Sequence, residues 1–166
     1  METENEILFY SHYGYWGCFS NFYACIFKEN NIQYCNTEQY LMKKKQELFD
    51  QLNQNLSNKI LSTTNPSEIK KLGRSVKNFN QEIWDLNKYK IMKDGLKLKF
   101  SQNIDLGIRL KKTNNKRLYE ASPYDKIWGT GFNKDDTLKK LLSNDTSDFG
   151  ENLLGKALEE IRNLIP

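Results

Sequence analysis

Asn36-Thr37-Glu38-Gln39-Tyr40-Leu41-Met42-Lys43-Lys44-Lys45-Gln46-Glu47-Leu48-Phe49 is the stretch on which the fold turns. Asn36 is a helix-capping residue, Gln39 follows it three positions later, and neither Gly nor Pro interrupts the run to about Leu52. That pattern predicts a helix opened by a capping box. Before it, Ile7-Leu8-Phe9-Tyr10 reads as a short strand. Phe22 to Phe27 and Ile32 to Cys35 read as a hairpin around the polar turn Glu29-Asn30-Asn31. After it, Asn65-Pro66-Ser67-Glu68 repeats the start signal with Pro at the first helical position, and Gly73 supplies a stop. A long helix is expected from about Gln81 to Ser101, with Ile83, Trp84, Ile91, Met92, Leu96 and Phe100 near helical spacing. A short helix near Leu106–Lys112 and a strand-like run Arg117-Leu118-Tyr119-Glu120-Ala121 follow. Ser122 to Gly131 is a loop, and a last helix from about Asn152 to Leu164 aligns Leu154, Leu158, Ile161 and Ile165. The expected class is mainly α, an α-rich α+β domain with a small N-terminal β element. It spans residues 1–166 as one domain, with its core over about 7–165.

Composition sets the outer limits. The chain has 166 residues, with 25 Lys+Arg against 21 Asp+Glu and a net charge of +4. Aromatics make up 13% of it, more than a solvating, disordered chain carries. No run of about 18 apolar residues is present, so no membrane partner is expected. The N-terminal Met1-Glu2-Thr3-Glu4-Asn5-Glu6 is acidic, the wrong chemistry for a signal peptide, and predicts a cytoplasmic location. Cys18, Cys25 and Cys35 are odd in number and irregularly spaced, which reads as reduced thiols. His12 is the lone histidine, so no zinc-ligand spacing exists and no metal or cofactor is expected. Catalysis then falls to carboxylates, lysine or tyrosine. The mild basic excess suits a phosphate-bearing ligand, and no Lys/Arg block forms a nucleic-acid arm.

Four clusters carry candidate chemistry. In Phe19-Ser20-Asn21-Phe22-Tyr23, aromatics flank two polar residues; rings can stack on a planar base while Asn21 reads its edge. The same stretch also reads as a turn that uses Asn for its tolerance of left-handed backbone. Glu38 and Lys45 are seven residues apart, which returns them to within about 20° of one helix face, roughly 10 Å apart along the axis. They can flank one ligand, with Glu38 holding a hydroxyl or moving a proton and Lys45 binding phosphate or attacking as an amine. Alternatively, Glu38 complements the helix dipole and Lys43-Lys44-Lys45 is a solvated stripe. Arg74, after Gly73, can fork onto phosphate or sit on the surface. Finally, Glu120-Ala121-Ser122-Pro123-Tyr124-Asp125-Lys126-Ile127-Trp128-Gly129-Thr130-Gly131 sets two carboxylates and a Trp in a glycine-bearing loop. Its bland reading makes Asp125 a turn cap and Trp128 core.

Taken in order, these clusters resemble the NADAR family, also called YbiA-like, from about Phe9 to the C-terminus. The resemblance rests on Phe19-Ser20-Asn21-Phe22, on Thr37-Glu38-Gln39-Tyr40-Leu41-Met42 leading to Lys45 and Phe49, and on Ile60-Leu61. It continues through Asn65 to Arg74, Trp84, Lys99-Phe100-Ser101-Gln102-Asn103, and Glu120-Ala121-Ser122-Pro123 with Asp125, Trp128, Gly129 and Gly131. Asn152-Leu153-Leu154-Gly155-Lys156-Ala157-Leu158 closes it, with Arg162 beyond. The resemblance implies a mainly helical N-glycosidase that uses no metal. The implied substrates are phosphorylated ribosylamines of early riboflavin biosynthesis, or ADP-ribosylated guanine in nucleic acid. It further implies Glu38, Lys45 and Asp125 as catalytic residues, with Lys45 forming a Schiff base at the anomeric carbon. Trp128, Asn21, Phe22, Arg74, Trp84, Glu120 and Gly129 are implied in binding substrate. Phe149 and Glu151 depart from the family's Trp and Lys before the Asn-Leu-Leu-Gly stretch, which bears on substrate choice. A non-catalytic module that binds ADP-ribose or a nucleotide is the alternative from another class.

Overall fold

Five helices begin on an asparagine whose side-chain oxygen accepts a backbone amide of the first turn, as good caps do. In the computed structural model, which describes residues 1–165, these are α1 (Thr37–Phe49), α2 (Gln54–Ser62), α3 (Pro66–Arg74), α4 (Gln81–Gln102) and α6 (Lys134–Leu142). Their caps are Asn36, Asn53, Asn65, Asn80 and Asn133. With α5 (Ile104–Lys111), α7 (Leu153–Arg162) and four short strands they make an α-rich α+β fold. No helix among the described residues is long and apolar enough to cross a membrane.

The chain divides into two compact units. One is the contiguous segment Ala24–Asn103; the other joins Met1–Tyr23 to the residues from Ile104 onward. In the contiguous unit, β2 (Phe27–Glu29) and β3 (Ile32–Tyr34) pair antiparallel through a turn in which Asn30 and Asn31 both take positive φ, 47° and 68°. That backbone matches the twist of a tight hairpin, and asparagine tolerates it. The hairpin's first arm begins at Phe27 and not at Phe22, since Phe22 to Ile26 form no strand. Helix α1 packs against α2, α3 and α4. The buried stripe of α4 runs Trp84, Lys88, Met92, Gly95, Leu96, Lys99 and Phe100, with Ile83 (44% exposed) outside it.

Asn36 caps α1 as expected, its Oδ1 accepting from Gln39 N at 2.8 Å. The reciprocal half of the capping box does not form. Gln39 Oε1 instead accepts from Cys35 N at 2.8 Å, and its Nε2 donates to the carbonyls of Ile60, Leu61 and Thr63 at 2.9, 3.1 and 3.0 Å. These are orphan acceptors where α2 ends. Gly73 does not stop α3, which continues through Arg74; its missing Cβ leaves room for Met42, whose Sδ would lie 1.9 Å away. Helices α2 and α6 have no counterpart in the elements expected from the sequence.

In the other unit, β1 (Glu6–Phe9) pairs parallel with β4 (Arg117–Glu120), Glu6 opposite Arg117 and Phe9 opposite Glu120. A 3-10 turn at Tyr15–Phe19 packs on β1, and α7 packs on β4 and α5. Leu154, Leu158 and Ile161 on α7, and Ile165 beyond it, are buried as their spacing predicts. Asn152, at positive φ (50°), bridges to β4: its Oδ1 accepts from Glu120 N at 3.0 Å and its Nδ2 donates to Leu118 O at 2.9 Å. Gly155 lets α7 approach this closely, because a Cβ there would sit 2.0 Å from Leu118 O. Backbone oxygen cannot swing aside, so Gly155→Ala should cost roughly 2–3 kcal/mol through overpacking. Urea unfolding should show a lower midpoint with an unchanged slope.

Candidate functional site

Lysines 43, 44 and 45 are neighbours in sequence and live in three environments. Lys43 is buried and reaches Gln46 Oε1 at 3.1 Å and Glu47 Oε1 at 2.7 Å. Lys44 pairs with Glu29 Oε2 at 2.5 Å and Glu47 Oε2 at 3.2 Å. Lys45 turns to neither glutamate. Its Nζ lies 4.2 Å from the centre of the Phe79 ring and 5.7 Å from that of Trp84. The solvated-stripe reading therefore fails: the run is half-buried or deeper, and two of its members are committed to ion pairs.

Burial pushes the Lys45 amine below the ordinary lysine range. The Glu38 carboxylate opposes that shift and the Arg74 guanidinium reinforces it. Glu38, seven residues before Lys45, is thus one of the two charged groups that act on its amine. Glu38 is only 5% exposed, Trp84 9%, and Arg74 is exposed at the end of α3. The Phe49 ring meets Phe79 edge-on at 5.2 Å and lies 6.5 Å from Trp84, so the two rings nearest the amine belong to an aromatic cluster. Phe79 was absent from the sequence-based candidates. Its signal is an aromatic residue one position before a capping asparagine, a place from which a side chain can fold back on the neighbouring helix.

The other unit holds the remaining candidates. Asp125 Oδ1 accepts from Ile127 N at 2.9 Å and Trp128 N at 2.8 Å, so this carboxylate shapes the loop that presents Trp128. Trp128 is half-buried, and its carbonyl accepts from Leu154 N at 3.1 Å. Gly129 lies where a Cβ would be 2.7 Å from Glu120 O, which explains the glycine by close packing of the loop on the end of β4. Glu120 is half-buried, and its backbone is pinned by Asn152. Asn21 is 8% exposed, and its Oδ1 has no hydrogen-bond partner. Its φ is not positive, so tolerance of left-handed backbone does not account for it. Phe22 is half-buried beside it, its amide donating to Ser20 Oγ at 3.2 Å. A cavity of about 300 Å3 in this unit, lined by Phe9, Tyr10, Tyr13, Tyr15, Trp16 and Lys134 among others, contains none of the candidates.

A family model described as the NADAR domain matches residues 8–166. The chain belongs to the NADAR family. Among its NADAR relatives is N-glycosidase R617 of Acanthamoeba polyphaga mimivirus, 39% identical over 171 residues, covering 98% of this chain and 97% of the relative. N-glycosidase Npun_R5314 of Nostoc punctiforme is 32% identical over 163 residues, covering 96% and 94%. The fold is similar to that of the E. coli protein YbiA solved by NMR, with a TM-score of 0.76 at 26% identity, over 99% of this chain and 86% of that one.

The charges around Lys45 give a prediction with a defined sign. Glu38→Gln removes the anion that favours the ammonium, so the Lys45 pKa should fall further. Arg74→Ala removes a repelling cation, so it should rise. Competitive acetylation from neutral to alkaline pH, read by peptide mass spectrometry, should rank Lys45 reactivity at neutral pH as Glu38→Gln above wild type above Arg74→Ala. Equal reactivity in all three would mean that neither charge reaches the amine, and the reverse order would overturn the sign.

Proposed function

We propose that this enzyme, a hydrolase of N-glycosyl bonds, cleaves the bond between the anomeric carbon of a phosphorylated ribose and a nitrogen. The substrate is a phosphorylated ribosylamine of early riboflavin biosynthesis or ADP-ribosylated guanine. The observation that carries this reading is the Lys45 amine, set over Phe79 and Trp84 with Glu38 and Arg74 acting on it. An ammonium has no lone pair, and an ordinary lysine with a pKa of about 10.4 is almost wholly protonated at neutral pH. Burial lowers the Lys45 pKa, which raises its share of neutral amine above that of an ordinary lysine. The relatives named N-glycosidase match nearly the full chain and so support the reaction class.

The neutral Lys45 Nζ attacks C1′. The C1′–N bond to the base breaks, and the base leaves with a proton from a carboxylic acid. Nζ, now a secondary ammonium, gives up one proton and O4′ takes one up as it departs from C1′, so the ring opens and leaves a protonated imine between C1′ and Nζ. Water adds to that carbon and returns a proton to the carboxylate that protonated the base, the amine is expelled, and the phosphorylated ribose is released while Lys45 recovers its starting form. Glu38 holds a sugar hydroxyl or moves these protons, and Asp125 is the second carboxylate candidate. A ribosyl centre that gains positive charge is stabilised by nearby carboxylates, as in other glycoside cleavage. Arg74 suits the phosphate, being exposed and forked. Trp84 is the ring candidate for the base in the unit that holds Lys45; in the other unit Trp128 and Phe22 are ring candidates, and the Asn21 acceptor, without a donor among the described residues, is the type of group that reads an exocyclic amine. Glu120 and Gly129 belong to the same loop region and shape it.

Incubation with candidate ribosylamine phosphates and with ADP-ribosylated guanine DNA should release free base, detected by chromatography. A protein that binds these compounds and releases nothing is instead a nucleotide-binding module. Borohydride added during turnover should fix a ribosyl adduct on Lys45, and Lys45→Arg should lose at least about a hundredfold in kcat. An adduct on Lys44, or an active Lys45→Arg enzyme, overturns the nucleophile and favours a carboxylate-activated water. Asp125→Asn keeps an oxygen for Ile127 N and Trp128 N while removing the charge. It should melt near wild type and lose kcat, whereas unchanged kcat would limit Asp125 to shaping the loop.

A further inference from the structure

The amine of Lys45 has ring surface on two sides, and the two rings differ. Trp84 is 9% exposed, sits on α4, and lies 5.7 Å from Nζ. Phe79 is closer, at 4.2 Å, and 41% exposed, so one face of its ring meets the amine while another part meets solvent. Phe79 therefore covers part of the half-buried Lys45 side chain at its amine end while itself meeting solvent. Its position is built: Asn78 takes a positive φ of 54°, Asn80 is the cap of α4, and the segment is tied to the end of α1. Asp50 Oδ2 accepts from Lys77 N at 3.3 Å, Asn78 Nδ2 donates to Phe49 O at 3.5 Å, and the Phe49 ring braces Phe79 edge-on.

We propose that Phe79 is a positioning residue for the reaction, its ring excluding water from the Lys45 amine and thereby holding that amine in its neutral, nucleophilic form. The chemical use of the neutral amine rests on the reaction proposed above; the shielding does not.

A ring can act on a lysine in two opposite ways. The negative face of its quadrupole attracts an ammonium and favours charge. Its bulk removes water and disfavours charge. The charged groups acting on Lys45 are Glu38 on its own helix and Arg74 on α3, while α4 and the turn before it contribute rings. The Glu38 carboxyl acts on Lys45 towards the charged form, and burial still outweighs it. A ring quadrupole is weaker than a full charge, so exclusion of water decides the sign of the Phe79 effect.

Phe79→Ala and Phe79→Leu separate the two contributions. Alanine opens the amine to water, whereas leucine keeps most of the cover and lacks the quadrupole. Reductive methylation with isotope-labelled formaldehyde makes each lysine visible by NMR, and Lys45 is assigned by the signal that Lys45→Arg loses. The Lys45 titration in Phe79→Ala should move up by about one pKa unit, a tenfold loss of neutral amine at neutral pH. Phe79→Leu should titrate at or below wild type, with melting curves of both variants confirming the fold. An alanine variant that titrates at or below wild type overturns the shielding. If Phe79→Ala does not fold, Phe79→Leu and Phe79→Gln decide, because the polar amide should raise the titration and leucine should not; equal values for these two overturn the proposal. The outcome stands apart from catalysis. If Lys45→Arg remains active while the titrations shift as stated, the proposed reaction fails and the shielding holds.

Discussion

A single buried amide holds the helical unit together at the point where its functional helix begins. Gln39, 1% exposed, accepts from Cys35 N and donates towards three carbonyls at the end of α2. Helix ends leave acceptors unsatisfied, and buried acceptors without donors are costly. By meeting both needs with one side chain, Gln39 fixes where α1 starts relative to the hairpin before it and the helix after it. Everything further along α1 inherits that register, including the rotation that sends Lys43 and Lys44 to Glu47 and Lys45 to the aromatic cluster.

Much of this fold was legible in the sequence because its longest helices carry their own punctuation. Asn36 and Asn65 were readable as caps, and α1, α3, α4 and α7 follow within a few residues of the expected bounds. The same signal stood before α2 and α6, at Asn53 and Asn133, and was lost among the chain's other asparagines. Neither helix has a strong apolar face to compensate: α2 buries Leu56, Ser57 and Ile60, and α6 buries Thr137 alone. Gln39 was read as half of a capping box because that is its local option. The acceptors of its Nε2 are more than twenty residues ahead, and no local pattern shows them.

The site divides in the same way. Spacing on a helix is local geometry, so Glu38 and Lys45 could be paired from sequence, and their charges do act on each other. What distinguishes Lys45 from its two neighbours is tertiary, since the rings that surround it come from α1's end, from α4 and from the turn between α3 and α4. Asp125 shows the reverse case. It was readable as a loop carboxylate, and the structure adds that one of its oxygens already serves two loop amides. A turn cap and a reactive carboxylate are not exclusive, because a carboxylate has more acceptor positions than two amides occupy.

The parallel pairing of β1 with β4 has a temporal meaning as well as a spatial one. Glu6 faces Arg117, so during synthesis the first strand emerges long before its partner exists. The contiguous segment Ala24–Asn103 is complete once it has left the ribosome, whereas β1, bridged at first only by the residues just before it, with Glu2 opposite Ile7, must wait for a partner strand that follows that segment in the chain. Pairings that span so much chain are slow to form, and a waiting strand is open to the wrong neighbour. Four residues is a short edge, and a short edge limits that exposure. The order of emergence thus makes the lysine-bearing unit the first part of the nascent chain able to complete its own contacts, and the sheet one of the last.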